Sequence, residues 1–260
     1  MRLELNNIVF RYSGDKSSCS LLDGLNLSVP SGKVTALVGR NGVGKTTLFN
    51  ILSGFETRYE GSVSIDGHDL RGLSPHRRAT EYMGRLFQGA RLAGGLTLME
   101  NMLLAVGPGV EDHPLRVLFS HGKVRKEEIK QRERAVSLIQ SFFGESAGKY
   151  LEKADQSASE LSYGEQRLVA LVRLLMGRGK ILLLDEPTSG VNPVFVARMK
   201  EIIRGLTAEG RTVLMIEHNI GFVRDVADHC AFLENGKVAL EGPVREVLEN
   251  ERVKNSYLGL

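Results

Sequence analysis

Nine residues, Gly39-Arg40-Asn41-Gly42-Val43-Gly44-Lys45-Thr46-Thr47, have the types and spacing to cradle a phosphate chain. Glycines let a backbone wrap closely around an anion, so that successive N–H groups and a helix N-terminus point at it. Lys45 adds a charge for the outer phosphates, and the Thr46 hydroxyl has the chemistry to hold Mg²⁺. A second cluster lies far along the chain, in Ile181-Leu182-Leu183-Leu184-Asp185-Glu186-Pro187. Two carboxylates there follow four apolar residues. Beside a phosphate loop, the first carboxylate, Asp185, suits Mg²⁺ and the second, Glu186, suits a general base that polarises water. A third cluster is Leu161-Ser162-Tyr163-Gly164-Glu165-Gln166-Arg167. Ser162 with Glu165 three places on reads as a capping box at a helix start, which is itself a second anion site.

These groups need elements to position them. The apolar run Val34–Val38 predicts a buried strand before the loop, and residues 47–52 predict a helix behind it. Leu48, Ile51, Leu52 and Phe55 follow helical spacing there. Residues 1–35 alternate as half-buried strands, with Leu25, Leu27 and Val29 on one face and a turn at residues 30–33. Val63-Ser64-Ile65 predicts a short strand ending in a turn, and Ser74-Pro75 a helix start in a short basic cluster. Between 91 and 160 the pattern turns helical, with Leu96, Met99, Leu103 and Leu104 as the apolar positions; His121 to Arg134 reads as a charged loop leading into an exposed helix. Leu168, Leu171, Val172, Leu175 and Met176 predict a helix after the third cluster. Apolar runs at 181–184 and 212–216 predict strands of a largely parallel sheet, whose carboxyl ends carry the polar groups.

Bulk properties exclude other classes. The 260 residues are 42% hydrophobic and 25% charged, as in an ordinary globular protein. No apolar run approaches the ~20 residues of a membrane span, and the N-terminus lacks the apolar core of a signal peptide. Cys19 and Cys230 have no metal or redox spacing, and a reducing cytosol is the simplest setting. A net charge of +3 is too small to argue for nucleic acid.

The order of the motifs resembles the ATP-binding cassette (ABC) ATPases along nearly the whole chain. Their signature reads L-S-G-G-Q. Ser162 and Gly164 match it, whereas Tyr163 replaces a glycine and Glu165 the glutamine. The resemblance implies an α/β P-loop NTPase core with an N-terminal antiparallel β-subdomain and an inserted α-helical subdomain. It makes residues 1–260 a single ATPase domain, with 1–90 and 161–260 as the core and 91–160 as the helical part. It implies ATP and Mg²⁺ as ligands, with metal contacts from Thr46, Gln88 and Asp185. Tyr12 takes the place of the aromatic that stacks on adenine. Gln88, in Leu86-Phe87-Gln88-Gly89, is similar to the Q-loop glutamine, which touches Mg²⁺ or the water and couples to the membrane subunit. His218 matches the switch histidine that contacts the γ-phosphate. Asn192, in Ser189-Gly190-Val191-Asn192, replaces the usual Asp of the D-loop.

Within the family the chain resembles the ATPase subunit of branched-chain amino acid importers, through Gly84-Arg85-Leu86-Phe87-Gln88, Ser189-Gly190-Val191-Asn192-Pro193, Ile216-Glu217-His218-Asn219, Tyr257-Leu258-Gly259 and a charged insertion near 106–135. Importers of urea, short amides or other amino acids share much of this. The resemblance implies a sandwich dimer with a second ATPase subunit, the same or different, in which Ser162 and Gly164 close on the other protomer's nucleotide. It further implies transmembrane permease subunits, an external solute-binding protein, and a place on the cytoplasmic face of the membrane. Permease docking is expected in the groove between core and helical subdomain, at Gln88 and the segment 89–98, with Leu92, Leu96 and Leu98 partly exposed. A soluble family member acting on DNA or ribosomes is the alternative. The stretch from Gln88 to Leu161 leaves room for a helical subdomain but not for a long coiled coil, and the chain carries a single motif set. A regulatory switch without turnover would lack Glu186 or His218, and both are present.

Overall fold

The structure, a computed structural model, describes residues 1–12, 20–89, 92–106 and 121–258, without the side chains of 121–124 and 257–258. Cys19, Ala90, Arg91, Gly259 and residues 107–120 of the charged insertion lie outside the described residues. Two compact units emerge. One comprises Met1–Gln88, Gly179–Ser189 and Ile203–Leu260; the other comprises Gly89–Arg178 and Gly190–Ile202.

The first unit holds two sheets. Strands β1 (Leu3–Phe10), β2 (Leu22–Val29), β4 (Glu60–Ile65) and β5 (His68–Asp69) form an antiparallel sheet in the order β2-β1-β4-β5. Leu25, Leu27 and Val29 share its buried face, as their alternation predicts. The second sheet has the order β10-β9-β3-β8-β7-β6, built from β3 (Val34–Val38), β6 (Met83–Leu86), β7 (Ile181–Asp185), β8 (Thr212–Ile216), β9 (His229–Glu234) and β10 (Lys237–Pro243). Only β9 and β10 pair antiparallel. β3, β7 and β8 are buried at every position, which accounts for their unbroken apolar runs.

Helix α1 (Lys45–Ser53) starts two residues earlier than its apolar period predicts. Gly44 at φ 107° ends the loop and Gly54 at φ 79° ends the helix. Phe55 therefore falls beyond the helix and is 60% exposed, not part of the apolar face formed by Leu48, Ile51 and Leu52. Helix α2 (Pro75–Glu81) follows a Ser74 cap and supplies Arg78. Its buried guanidinium donates to the carbonyls of Ile51 (2.7 Å), Leu52 (2.9 Å), Leu70 (2.7 Å) and Leu73 (3.2 Å). The bonds to Ile51 and Leu52 serve carbonyls in the last turn of α1.

In the second unit, α3 (Leu98–Leu103) begins with a capping box between Thr97 and Glu100. That box sets the helix phase. Leu98, Met99 and Met102 are buried, Leu96 precedes the helix, and Leu104 is exposed, so the expected face of Leu96, Met99, Leu103 and Leu104 is corrected. Leu92 and Leu98 are core residues, not the partly exposed contacts expected of them. Buried Asn101 fixes the preceding loop by accepting from the Ala93 N–H (2.8 Å) and donating to the Ala93 (3.0 Å) and Thr97 (2.9 Å) carbonyls. Helix α4 (His121–Phe143) is continuous, so the expected loop over 121–134 is helix; its apolar positions are too sparse there to show a face. α5 (Ala147–Glu152) and α6 (Tyr163–Arg173) complete the unit, with the first part of α7 (Pro193–Ala208). Among the described residues no helix is long and apolar enough to cross a membrane.

Candidate functional site

Parallel pairing brings four strand ends together. Leu37 of β3 and Asp185 of β7 both register with Ile216 of β8, and Leu86 of β6 registers with Leu184. The loops that follow thus carry the phosphate loop, Glu186, His218 and Gln88 to the carboxyl edge of one sheet, where ligands bind in open α/β sheets. A cavity of about 350 Å³ opens there, lined by Tyr12, Leu21, Asn41, Gly42, Gly44, Lys45, Thr46, Thr47, Glu186 and His218. That volume lies in the range of small-molecule sites. Gly39, Arg40 and Val43 are not among the lining residues. Gly39 is at φ 154°, and a Cβ on it would stand 2.3 Å from the Leu233 carbonyl oxygen, so only glycine fits.

Lys45 is 6% exposed. Its ammonium donates to the carbonyls of Gly39 (2.6 Å) and Arg40 (2.9 Å), holding the loop in a ring around itself. Burial pushes its pKa down, against the pull of Glu186 and Asp185. Tyr12 is 58% exposed, edge-on to Phe10 with centroids 5.0 Å apart, and its hydroxyl lies 3.2 Å from Thr47 Oγ1.

Asp185 is 1% exposed. Arg85 donates to its Oδ2 at 2.9 Å, while Oδ1 is buried with no hydrogen-bond partner among the described residues. A free carboxylate oxygen and the exposed Thr46 hydroxyl suit Mg²⁺, which takes its other oxygens from phosphates and water. The sequence reading missed Arg85 as the partner of Asp185. It also donates to Asn50 Oδ1 (2.9 Å) and Ser53 Oγ (3.2 Å) and sits 4.5 Å from the Phe87 ring centre. Burial lowers its pKa against the pull of Asp185. A lone apolar-flanked Arg on a strand was the available signal.

Glu186 adopts φ 47°, a left-handed backbone rare outside glycine and costly enough to recur at functional sites. Its Oε2 accepts from Gln88 Nε2 at 2.8 Å, and its Oε1 lies 3.3 Å from His218 Nε2. The three side chains singled out from separate motifs thus meet in one contact set. Next to them Glu217, 2% exposed, accepts from the N–H groups of Thr188, His218 and Asn219 and from the Thr188 hydroxyl.

Ser162 and Gly164 belong to the helical unit and do not line the cavity. Ser162 caps α6 in a reciprocal box with Glu165. A Cβ on Gly164 would stand 2.4 Å from the Phe195 ring, so close packing requires glycine there. Asn192 caps α7, its Oδ1 accepting from the Val194 (2.9 Å) and Phe195 (3.3 Å) N–H groups, so the helix cap that Asp would supply is kept. Glu165 also takes a 2.5 Å bond from Lys149. Burial pushes its pKa up, but the bonds from Lys149 and Ser162 outweigh this and hold it below the ordinary value. A depressed carboxylate stabilises the fold above its unfolded-state pKa, about 4.3, and loses that contribution as pH falls through the folded value. Glu165→Ala is expected to lower urea-unfolding stability by about 1 kcal/mol at pH 7. The difference should shrink below pH 4; an equal difference at pH 7 and 3.5 would remove the charge from the explanation.

The sequence profile described as ABC transporter matches residues 22–189. BraF of Pseudomonas aeruginosa, a high-affinity branched-chain amino acid transport ATP-binding protein, is 33% identical over 258 residues, 99% of this chain and 97% of BraF. LptB of Haemophilus influenzae, a lipopolysaccharide export system ATP-binding protein, is 32% identical over 259 residues, 99% of this chain and 97% of LptB. Among solved structures, the ADP conformation of MJ1267, an ATP-binding cassette of an ABC transporter, matches at a TM-score of 0.80 and 33% identity over 100% of both chains. The α/β core, the antiparallel sheet and the helical unit are those expected from the resemblance. A profile matched over more than half of the chain, and relatives one-third identical along its length, settle where it belongs: the protein is an ATPase of the ABC transporter family.

Proposed function

We propose that the chain powers uptake of a small solute, branched-chain or related amino acids, through separate membrane subunits. The observation that carries the enzymatic part is the Gln88–Glu186–His218 contact set at the rim of a cavity lined by the phosphate loop. ATP seats its phosphates on the N–H groups of residues 41–47 and on Lys45, with adenine against Tyr12. Thr46, Asp185 and Gln88 would hold Mg²⁺, which would neutralise charge on the transferred phosphoryl group. Glu186 takes a proton from the attacking water as the new P–O bond forms and the bond to ADP breaks. His218 donates to the γ-phosphate. The 260 residues act as one ATPase domain. Ser162 and Gly164 offer a second phosphate site to a partner ATPase, the same or different.

The solute assignment rests on likeness to BraF, and the similarity to LptB keeps export as the competing reading. In place of Leu92 and Leu98, the exposed surface beside Gln88 is a groove bordered by Phe55 and Phe87, whose ring centres lie 5.7 Å apart. Apolar residues exposed together suit a permease contact. Docking there would put the chain on the cytoplasmic face of the membrane, with the solute-binding protein reached only through the permease. The test is to co-express the chain with its neighbouring membrane subunits, reconstitute the complex in vesicles with the solute-binding protein, and follow labelled leucine. ATP-dependent accumulation is expected, lost in Phe87→Asp while basal ATPase survives. ATP-driven efflux of an envelope lipid would overturn the importer reading, and no leucine transport would overturn the branched-chain assignment.

A further inference from the structure

Ile216-Glu217-His218-Asn219 places a carboxylate directly after the wholly buried strand β8. Its charge is buried, and a buried carboxylate persists only where donors surround it. Glu217 has four. Oε1 accepts from the Thr188 N–H at 2.9 Å and the Thr188 hydroxyl at 2.5 Å; Oε2 accepts from the N–H groups of His218 at 2.8 Å and Asn219 at 3.0 Å. One oxygen therefore grips the segment that follows β7 and carries Glu186. The other grips the segment that follows β8 and carries His218. A backbone bond from the Glu186 N–H to the Ile216 carbonyl, 2.9 Å, also ties these strand ends.

We propose that Glu217 is a positioning residue for hydrolysis: its carboxylate clamps the β7 and β8 ends together and so fixes the imidazole of His218 against Glu186. The inference rests on the reading of His218 as the γ-phosphate contact. Its chemistry is specific to a carboxylate. An amide of the same shape has one accepting oxygen, and in either orientation its NH₂ would face at least one N–H donor. A displacement of about 1 Å at a reacting group lowers rate by about 10²-fold.

The test compares the full-length wild type with Glu217→Gln, His218→Ala and the double variant, in ATP turnover, binding of a fluorescent ATP analogue and thermal melting. Glu217→Gln should lower kcat by about 10²-fold, with analogue affinity kept, because the phosphate loop is untouched. In the His218→Ala background the same substitution should cause no further loss, since residues that act as a unit are non-additive. A merely structural role would multiply the two losses and lower affinity with them. If Glu217→Gln does not fold, Thr188→Val removes one of the four bonds and should show a smaller kcat loss that likewise vanishes without His218. Wild-type kcat in Glu217→Gln, or full multiplication in the double variant, overturns the clamp while a slow His218→Ala leaves the His218 reading standing. Wild-type turnover in His218→Ala overturns both.

Discussion

Glu186→Gln is expected to bind ATP about as well as the wild type and to turn it over about 10²–10⁴ times more slowly, ~3–5 kcal/mol of barrier. The amide preserves shape and still meets Gln88 and His218, but it has no basic oxygen to take a proton from water. The backbone at φ 47° supports the assignment, because a strained Glu held beside a histidine and a glutamine is costly to keep without use. Two readouts separate chemistry from binding: steady-state phosphate release and fluorescent-nucleotide titration. With ATP bound and unhydrolysed, the variant should also accumulate as a dimer in light scattering if Ser162 and Gly164 of one protomer close on the nucleotide of the other. Wild-type turnover would remove Glu186 from the role of base. A strictly monomeric ATP-bound variant would confine the sandwich to pairing with a different ATPase.

Lys45→Ala should act on affinity instead. The ammonium is buried at the centre of the phosphate loop and bonded to two of its carbonyls. Removing it takes away a charge-assisted bond to the phosphates, a loss of about 1.5–3 kcal/mol, or roughly 10–100-fold in ATP affinity. It also leaves the Gly39 and Arg40 carbonyls without their donor, so the loop loses shape as well as charge. Calorimetric titration with a non-hydrolysable ATP analogue measures this directly. Unchanged affinity would sink the assignment of residues 39–47 as the phosphate cradle.

The parts of the site legible in the sequence were those set by strong local rules. Val34–Val38 and Ile181–Leu184 are fully buried strands, so their unbroken apolar runs pointed to a parallel sheet, and the groups at their ends to its carboxyl edge. Ser162 and Glu165 showed their capping box through spacing alone. Elsewhere one local signal outweighed another. Gly54 ends α1 before Phe55, although the period continues through it. Thr97 and Glu100 start α3 later than the leucine spacing suggests, and so bury Leu98 and Met102 in place of Leu104. Arg85 with Asp185, and Glu217 with Thr188, join residues far apart in the chain through side-chain geometry. No periodicity records such pairings, because they depend on which strands become neighbours.

The strand order also dictates when the phosphate loop gains its shape during synthesis. β3 leaves the ribosome early, yet its two sheet neighbours, β8 and β9, begin at Thr212 and His229. At about 5–20 residues per second, the ~180 residues between Gly32 and Thr212 take roughly 10–40 s to make. For that interval the five residues of β3, four of them apolar, have no sheet partner, and the loop behind them has no fixed strand to spring from. Nucleotide binding therefore waits for strands β8 and β9 to be made, and until then the nascent β3 needs shielding from aggregation.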